Sequence, residues 1–225
     1  MGKQFTLTAT DHHQLGAYRA DPAGAAKGGM VVIQEIFGVN QHIRAVCDRL
    51  AGEGYRAVAP ALFDRTQKDF QSGYTPDEIA EARKFVANPD WGAMLRDTDA
   101  AIKELKKEGG PVGIIGFCMG GTIAFLSAAK LDGLAASVCY YGGGIAKNAD
   151  EKPKCPTQMH FGEADQGIPM SDVEIIKQKR GGDCEIYVYP VAGHGFHCDE
   201  RGSFHSDSAK LAWERSMAFL AKHMK

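Results

Sequence analysis

The chain has no long apolar run, no excess of charge of either sign and no paired-cysteine motif. Its hydrophobic stretches, such as Met30-Val31-Val32-Ile33, fall far short of the roughly 20 residues that span a bilayer. The opening Met-Gly-Lys-Gln-Phe-Thr has no apolar core of a secretory leader, so a cytoplasmic location is expected. With 26 Lys and Arg against 28 Asp and Glu, the net charge is only −2, which removes any bulk electrostatic case for nucleic acid or an acidic membrane as partner. The six cysteines (47, 118, 139, 155, 184 and 198) include no C-x-x-C pair. Without a leader they are expected to be reduced thiols, and Cys139, inside Ala-Ser-Val-Cys-Tyr-Tyr, is expected to be a small core residue. No period of 20–50 residues repeats and no linker interrupts the chain. What is there is ordinary globular material: 225 residues, 44% hydrophobic and 24% charged, long enough for about 70% of the unfolded surface to be buried.

Short β-branched runs alternate with longer helical patterns. Strands are expected at 5–8, 16–20, 30–34, 55–59, 111–117, 135–141, 157–161 and 185–189. Helices are expected over 39–52, from Thr75 to Asn88, over 91–108, 119–131, 171–179 and 206–223, with a loop at 61–75. Thr75-Pro76-Asp77-Glu78 is a strong helix start, with a capping hydroxyl, proline at the first position and early acids. The alternation implies one α/β domain over 1–225, a mostly parallel sheet with helices on both faces and an antiparallel pair at its leading edge.

One cysteine stands apart. Gly116-Phe117-Cys118-Met119-Gly120-Gly121 follows a strand and opens a helix. A nucleophile on so tight a turn takes a strained backbone, and side chains two residues to either side would collide; Gly116 and Gly120 remove them. The helix N-terminus favours thiolate over thiol. The competing reading is a buried structural cysteine beside a glycine-rich helix start.

A thiol nucleophile needs a base, and the base an orienting partner. Asp165, in Phe-Gly-Glu-Ala-Asp, and His194, in Ala-Gly-His-Gly-Phe, both follow strands, at the sheet edge where ligands sit in parallel sheets. Glu163 competes with Asp165 for the acid's place. The other histidines (12, 13, 42, 160, 197, 205 and 223) read as surface or packing residues. Glu35, in Gln-Glu-Ile-Phe-Gly-Val-Asn, follows the buried strand at 30–34. A carboxylate there is costly unless paired or used, so Glu35 is either catalytic or part of a core ion pair. Backbone N–H groups of this segment and of Met119 could converge on a developing oxyanion.

Gln34–Asn40, the cysteine elbow, Asp165 and Gly193-His194-Gly195-Phe196 together resemble the dienelactone hydrolase family of α/β-hydrolases, over nearly the whole chain and in the family's order. The resemblance implies the α/β-hydrolase fold with a largely parallel eight-stranded sheet, no metal and no organic cofactor. It implies Cys118 as nucleophile, His194 as general base and acid, Asp165 as its orienter, Glu35 as the glutamate contacting the thiol, and Ile36 and Met119 N–H as the oxyanion hole. The partner implied is a small ester or lactone, and a monomer is favoured. Phe37, Arg83, Tyr141 and Arg201 are the candidate substrate contacts. The sequence departs from the family here: one of the arginines that hold a substrate carboxylate lies shortly after the histidine, where this chain has Gly195-Phe196-His197-Cys198 and reaches Arg201 only later, and Arg83 matches the other only roughly. Two alternatives are a thiol-redox or peroxide-sensing protein using Cys118, and a metal site through His194, His197, Cys198 and His205.

Overall fold

A computed structural model describes residues 2–225. Eight strands form one sheet: β1 (Lys3–Thr8), β2 (Gln14–Ala20), β3 (Gly29–Ile33), β4 (Arg56–Pro60), β5 (Val112–Phe117), β6 (Ala136–Tyr140), β7 (Thr157–Gly162) and β8 (Cys184–Tyr189). Their spatial order is β1-β2-β4-β3-β5-β6-β7-β8. β2 runs antiparallel to both β1 and β4, and every pairing from β4 through β8 is parallel. The expected antiparallel edge is therefore present.

The helices are α1 (Gln41–Gly52), α2 (Pro76–Lys84), α3 (Trp91–Lys106), α4 (Met119–Lys130), α5 (Met170–Arg180) and α6 (Ser206–His223). Side chains start most of them. Asn40 accepts from the Ile43 amide, Thr75 and Glu78 form a reciprocal capping box before Pro76, and Asp90 accepts from the Ala93 amide. Most boundaries differ from the sequence reading by one or two residues, and two of the differences have a visible cause. α1 begins after Asn40, because that side chain is consumed in capping. α2 stops at Lys84, and Phe85 to Ala87 continue only as turns, since the Phe85 ring leaves to pack on Phe63 and Phe70. In α6 the buried face runs through Ala212, Ser216 and Leu220, with Trp213 and Met217 half-buried beside it.

The strand order dictates where a site can form. From β3 the chain crosses to β4 on one side, and from β4 it jumps back past β3 to β5 and continues outward. Right-handed crossovers then put α1 on one face and α3 to α5 on the other. Trp213 of α6 lies against Arg49 of α1, so α6 shares the α1 face. β3 and β5, whose outgoing connections diverge, are the switch point, and a crevice opens beyond their carboxyl ends. The segments leaving those two ends are Gln34–Asn40 and the Cys118 elbow. Among the described residues no helix is long and apolar enough to cross a membrane.

Candidate active site

The elbow is held by main chain in contact with main chain. Cys118, the residue before α4, has φ 55° and ψ −118°, a conformation that side chains rarely adopt. A Cβ on Gly116 would lie 2.0 Å from the Gly120 carbonyl oxygen, and one on Gly120 would lie 2.4 Å from that of Ile33. Both glycines are thus sterically required, Gly116 by the first turn of α4, and Gly120 not by the nucleophile, as the spacing suggests, but by the end of β3. The second contact also presses the start of α4 against the end of β3, which brings the Gln34–Asn40 loop alongside Cys118. Gln34, fully buried, fixes that loop by donating to the Glu35 carbonyl and accepting from the Leu62 amide. Among the described residues neither the Ile36 amide nor the Met119 amide finds an acceptor.

The loops after β7 and β8 bring up the other two groups. His194 Nε2 lies 3.1 Å from Cys118 Sγ, and Nδ1 lies 2.7 Å from Asp165 Oδ2. The other Asp165 oxygen accepts from the Gly167 and Ile168 amides, so the buried carboxylate is fixed at both ends. Glu163, the rival acid, is exposed. Burial works against a charged imidazole at 194, but the Cys118 charge and the hydrogen bonds to Asp165 and Cys118 outweigh it and raise the His194 pKa to about 10. Of the two glycines flanking His194, Gly195 is the one its backbone asks for: its φ is 75°, the left-handed region that side chains rarely adopt.

Arg201 and Glu35 meet in the same place. Arg201 Nη1 donates to Glu35 Oε1 at 3.2 Å, and the guanidinium lies over the Phe37 and Tyr74 rings. Glu35 is 1% exposed and its Oε2 has no partner. The glutamate is therefore in a buried ion pair with Arg201, and among the described residues the expected hydrogen bond between its carboxylate and the Cys118 thiol is not made: Cys118 Sγ meets His194 instead. The buried Tyr141 ring stands 5.2 Å from His194, and its unpartnered hydroxyl is held well above the usual phenol range by burial and by Glu35, Cys198 and Cys118. Phe37 is a buried wall against Tyr74. Arg83 does not join: it is exposed on α2, and its recorded hydrogen bond is through its carbonyl, to the Val86 amide. A helix stripe gave no measure of how far that arginine sits from the crevice.

The imagined cluster of His194, His197, Cys198 and His205 is dispersed. His194 turns to Cys118, His197 Nε2 meets Arg49, and His205 accepts from the Ser208 amide to cap α6. Cys198 instead faces Tyr74, with Sγ 3.3 Å from the hydroxyl, and groups with Glu35 and His42. Burial first, then the Glu35 charge, pushes its thiol up to about 12. Tyr74 itself, also held by Asn40, was not singled out by the sequence. Nothing in the Ser-Gly-Tyr-Thr run marks it, because its partners lie on segments far away in the chain.

A model of the dienelactone hydrolase family matches residues 15–224. A Synechocystis protein provisionally named carboxymethylenebutenolidase is 40% identical over 222 residues, covering 90% of this chain and 89% of its own. The carboxymethylenebutenolidase of Pseudomonas putida is 33% identical over 229 residues, 96% of this chain and 95% of that protein. In three dimensions, a crystal structure from Klebsiella pneumoniae, provisionally named a dienelactone hydrolase, superposes with a TM-score of 0.85 at 31% identity over 99% of both chains.

Proposed function

The chain belongs to the dienelactone hydrolase family of α/β-hydrolase-fold enzymes, and on that premise we propose that it hydrolyses carboxylic esters and lactones through an acyl-enzyme on Cys118. The observation that carries the reading is the unbroken Asp165–His194–Cys118 relay, with contacts of 2.7 and 3.1 Å. In this reading His194 holds the proton of the Cys118 thiol, and the thiolate attacks the carbonyl carbon. The Ile36 and Met119 amides, both without an acceptor, receive the oxyanion; one such donor is typically worth about 3 kcal/mol of barrier. The imidazolium then protonates the leaving oxygen as the carbon–oxygen bond breaks. In the second half His194 takes a proton from water, hydroxide adds to the thioester, and the thiolate departs with the acid released. Asp165, fixed by two amides, keeps Nδ1–H facing itself and Nε2 facing sulfur.

Lactones and activated esters suit this nucleophile better than amides, because a thiolate is a better leaving group than an amine from the tetrahedral intermediate. The name carboxymethylenebutenolidase denotes an unsaturated lactone carrying a carboxylate. Arg201 is the cation placed to meet such a carboxylate, exchanging it for Glu35. The free thiols at Cys47, Cys118, Cys139, Cys155, Cys184 and Cys198 suit a reducing compartment, consistent with a cytoplasmic enzyme.

The test is a panel of aryl esters and enol lactones, with and without a carboxylate. Turnover that needs Cys118 and a lower KM for the acidic lactones are expected. Wild-type rates in Cys118→Ala would end the proposal, as would rapid sulfenate formation on Cys118 with no ester consumed, which is the thiol-redox outcome.

A further inference from the structure

Next to the Cys118 relay lies a second set of donors that the proposed mechanism leaves largely unused. Glu35, His42 and Cys198 are all buried, and one ligand atom from each lies within 4.8 Å of the others. Glu35 Oε2 and His42 Nε2 have no hydrogen-bond partner. Buried polar atoms without partners are costly, and two of them here stand beside a sulfur.

The surroundings are those of a cation site. His42 Nδ1 faces the Asp199 carboxylate at 3.6 Å, which an approach of about 0.5 Å would turn into the outer hydrogen bond that orients a metal-bound imidazole. Arg201 engages the other carboxylate oxygen of Glu35, leaving Oε2 free. Cys198 Sγ borders the Tyr74 hydroxyl, which can turn to donate once the sulfur is a thiolate. One oxygen, one nitrogen and one sulfur are a borderline donor set that favours zinc over magnesium or calcium. Bonds of about 2.0–2.3 Å in a tetrahedron separate ligand atoms by roughly 3.3–3.8 Å, so closure by about 1 Å makes the site.

We propose that Glu35, His42 and Cys198 bind a thiophilic divalent cation, zinc being the best match, and that its binding inhibits the enzyme. On binding, the Cys198 sulfur–hydrogen bond gives way to a sulfur–metal bond and the proton passes to solvent. No electrons are transferred. The Glu35 carboxylate, the Cys198 thiolate and the nearby Asp199 carboxylate together balance the two positive charges of the metal and the one of Arg201, and three protein donors leave one position for water. Inhibition follows because Glu35 immediately precedes Ile36, so the closure of about 1 Å that the metal requires draws the Ile36 amide out of position for the oxyanion. This regulatory arm rests on the function proposed above; the binding arm does not.

Cobalt(II) added alone to the whole reduced protein tests binding optically. A thiolate-to-cobalt charge-transfer band and four-coordinate ligand-field bands are expected at one ion per chain, displaced by zinc. They should persist in Cys118→Ser, lose the charge-transfer component in Cys198→Ser, and require at least ten-fold more cobalt in His42→Phe, which keeps a ring against Phe117. No charge-transfer band in the wild-type protein overturns the site without reference to any variant's folding. So does a band that survives Cys198→Ser but vanishes in Cys118→Ser. For the second arm, the zinc concentration that halves ester turnover should rise at least ten-fold in Cys198→Ser, measured against that variant's own metal-free rate; equal sensitivity overturns inhibition through this site. If no ester is turned over at all, the function proposal fails while the cobalt spectrum still decides binding.

Discussion

Two histidines, one half-buried at the rim of the sheet and one fully buried beneath it, show that desolvation alone does not set charge. His194 sits between Cys118 and Asp165, and its pKa is raised to about 10 despite desolvation. His160, on β7, is enclosed by Tyr189, Gln158 and Ser216, and burial with no anion to offset it lowers its pKa to about 3. The rim gathers charge: Cys118, Asp165, Glu35 and Arg201. The floor is an aromatic stack without a carboxylate partner for His160, in which Tyr140 lies on His160 and Phe117 on His197, with Arg49 against His197. The candidate pair is thus mounted on a layer whose His160 stays neutral near pH 7.

The contrast is broken most severely by removing the sulfur. Cys118→Ala is expected to lower kcat by about 10⁵-fold or more, as loss of a nucleophile does elsewhere, read by steady-state assay on an aryl ester. Asp165→Asn should cost about 10³- to 10⁴-fold by allowing the wrong tautomer; Glu163→Gln, run alongside, should stay within two-fold. A full effect of the second and none of the first would reassign the acid. Arg201→Met strands the Glu35 carboxylate in a buried place and is expected to destabilise the protein by about 3 kcal/mol in urea melts, with the larger kinetic effect on KM for acidic substrates. On the floor, His160→Phe should cost about 2 kcal/mol through the partners it leaves unmet, while kcat per folded molecule holds.

The pH dependence of stability sharpens the same comparison. The folded chain keeps a proton on His194 that the unfolded chain releases near 6.5, so this contribution is full below 6.5 and is lost as pH rises through about 10. His160 has the opposite sign: the unfolded chain binds a proton that the folded one refuses, so stability falls as pH drops from 6.5 toward about 3. Melting temperature against pH should show both limbs. In Cys118→Ala the alkaline limb should flatten and the acid limb remain.

Much of this was legible in the chain. Gly116 and Gly120 announce the elbow by their spacing, although only the demand on Gly116 is local, and Asp165 and His194 announce themselves because strands end just before them. Asp165 against Glu163 was not decidable, since the two differ by the direction a turn faces, which only the packed loop settles. Tyr74, Cys198 and His42 were invisible as a group: they converge from three separate segments, and no spacing encodes that. Arg201 could be named but not its Glu35 partner, and Arg83 drew attention that its exposed position on α2 does not sustain.

The contact of Gly116 with Gly120, and of Gly120 with Ile33, makes the base of the crevice out of backbone atoms. Backbone cannot be exchanged by point substitution, so the bend that presents Cys118 lies beyond the reach of single side-chain changes that keep the fold. Diversification is channelled outward, to the segments carrying Tyr74 and Cys198–Arg201, where a new side chain can reshape what enters without disturbing what happens to it.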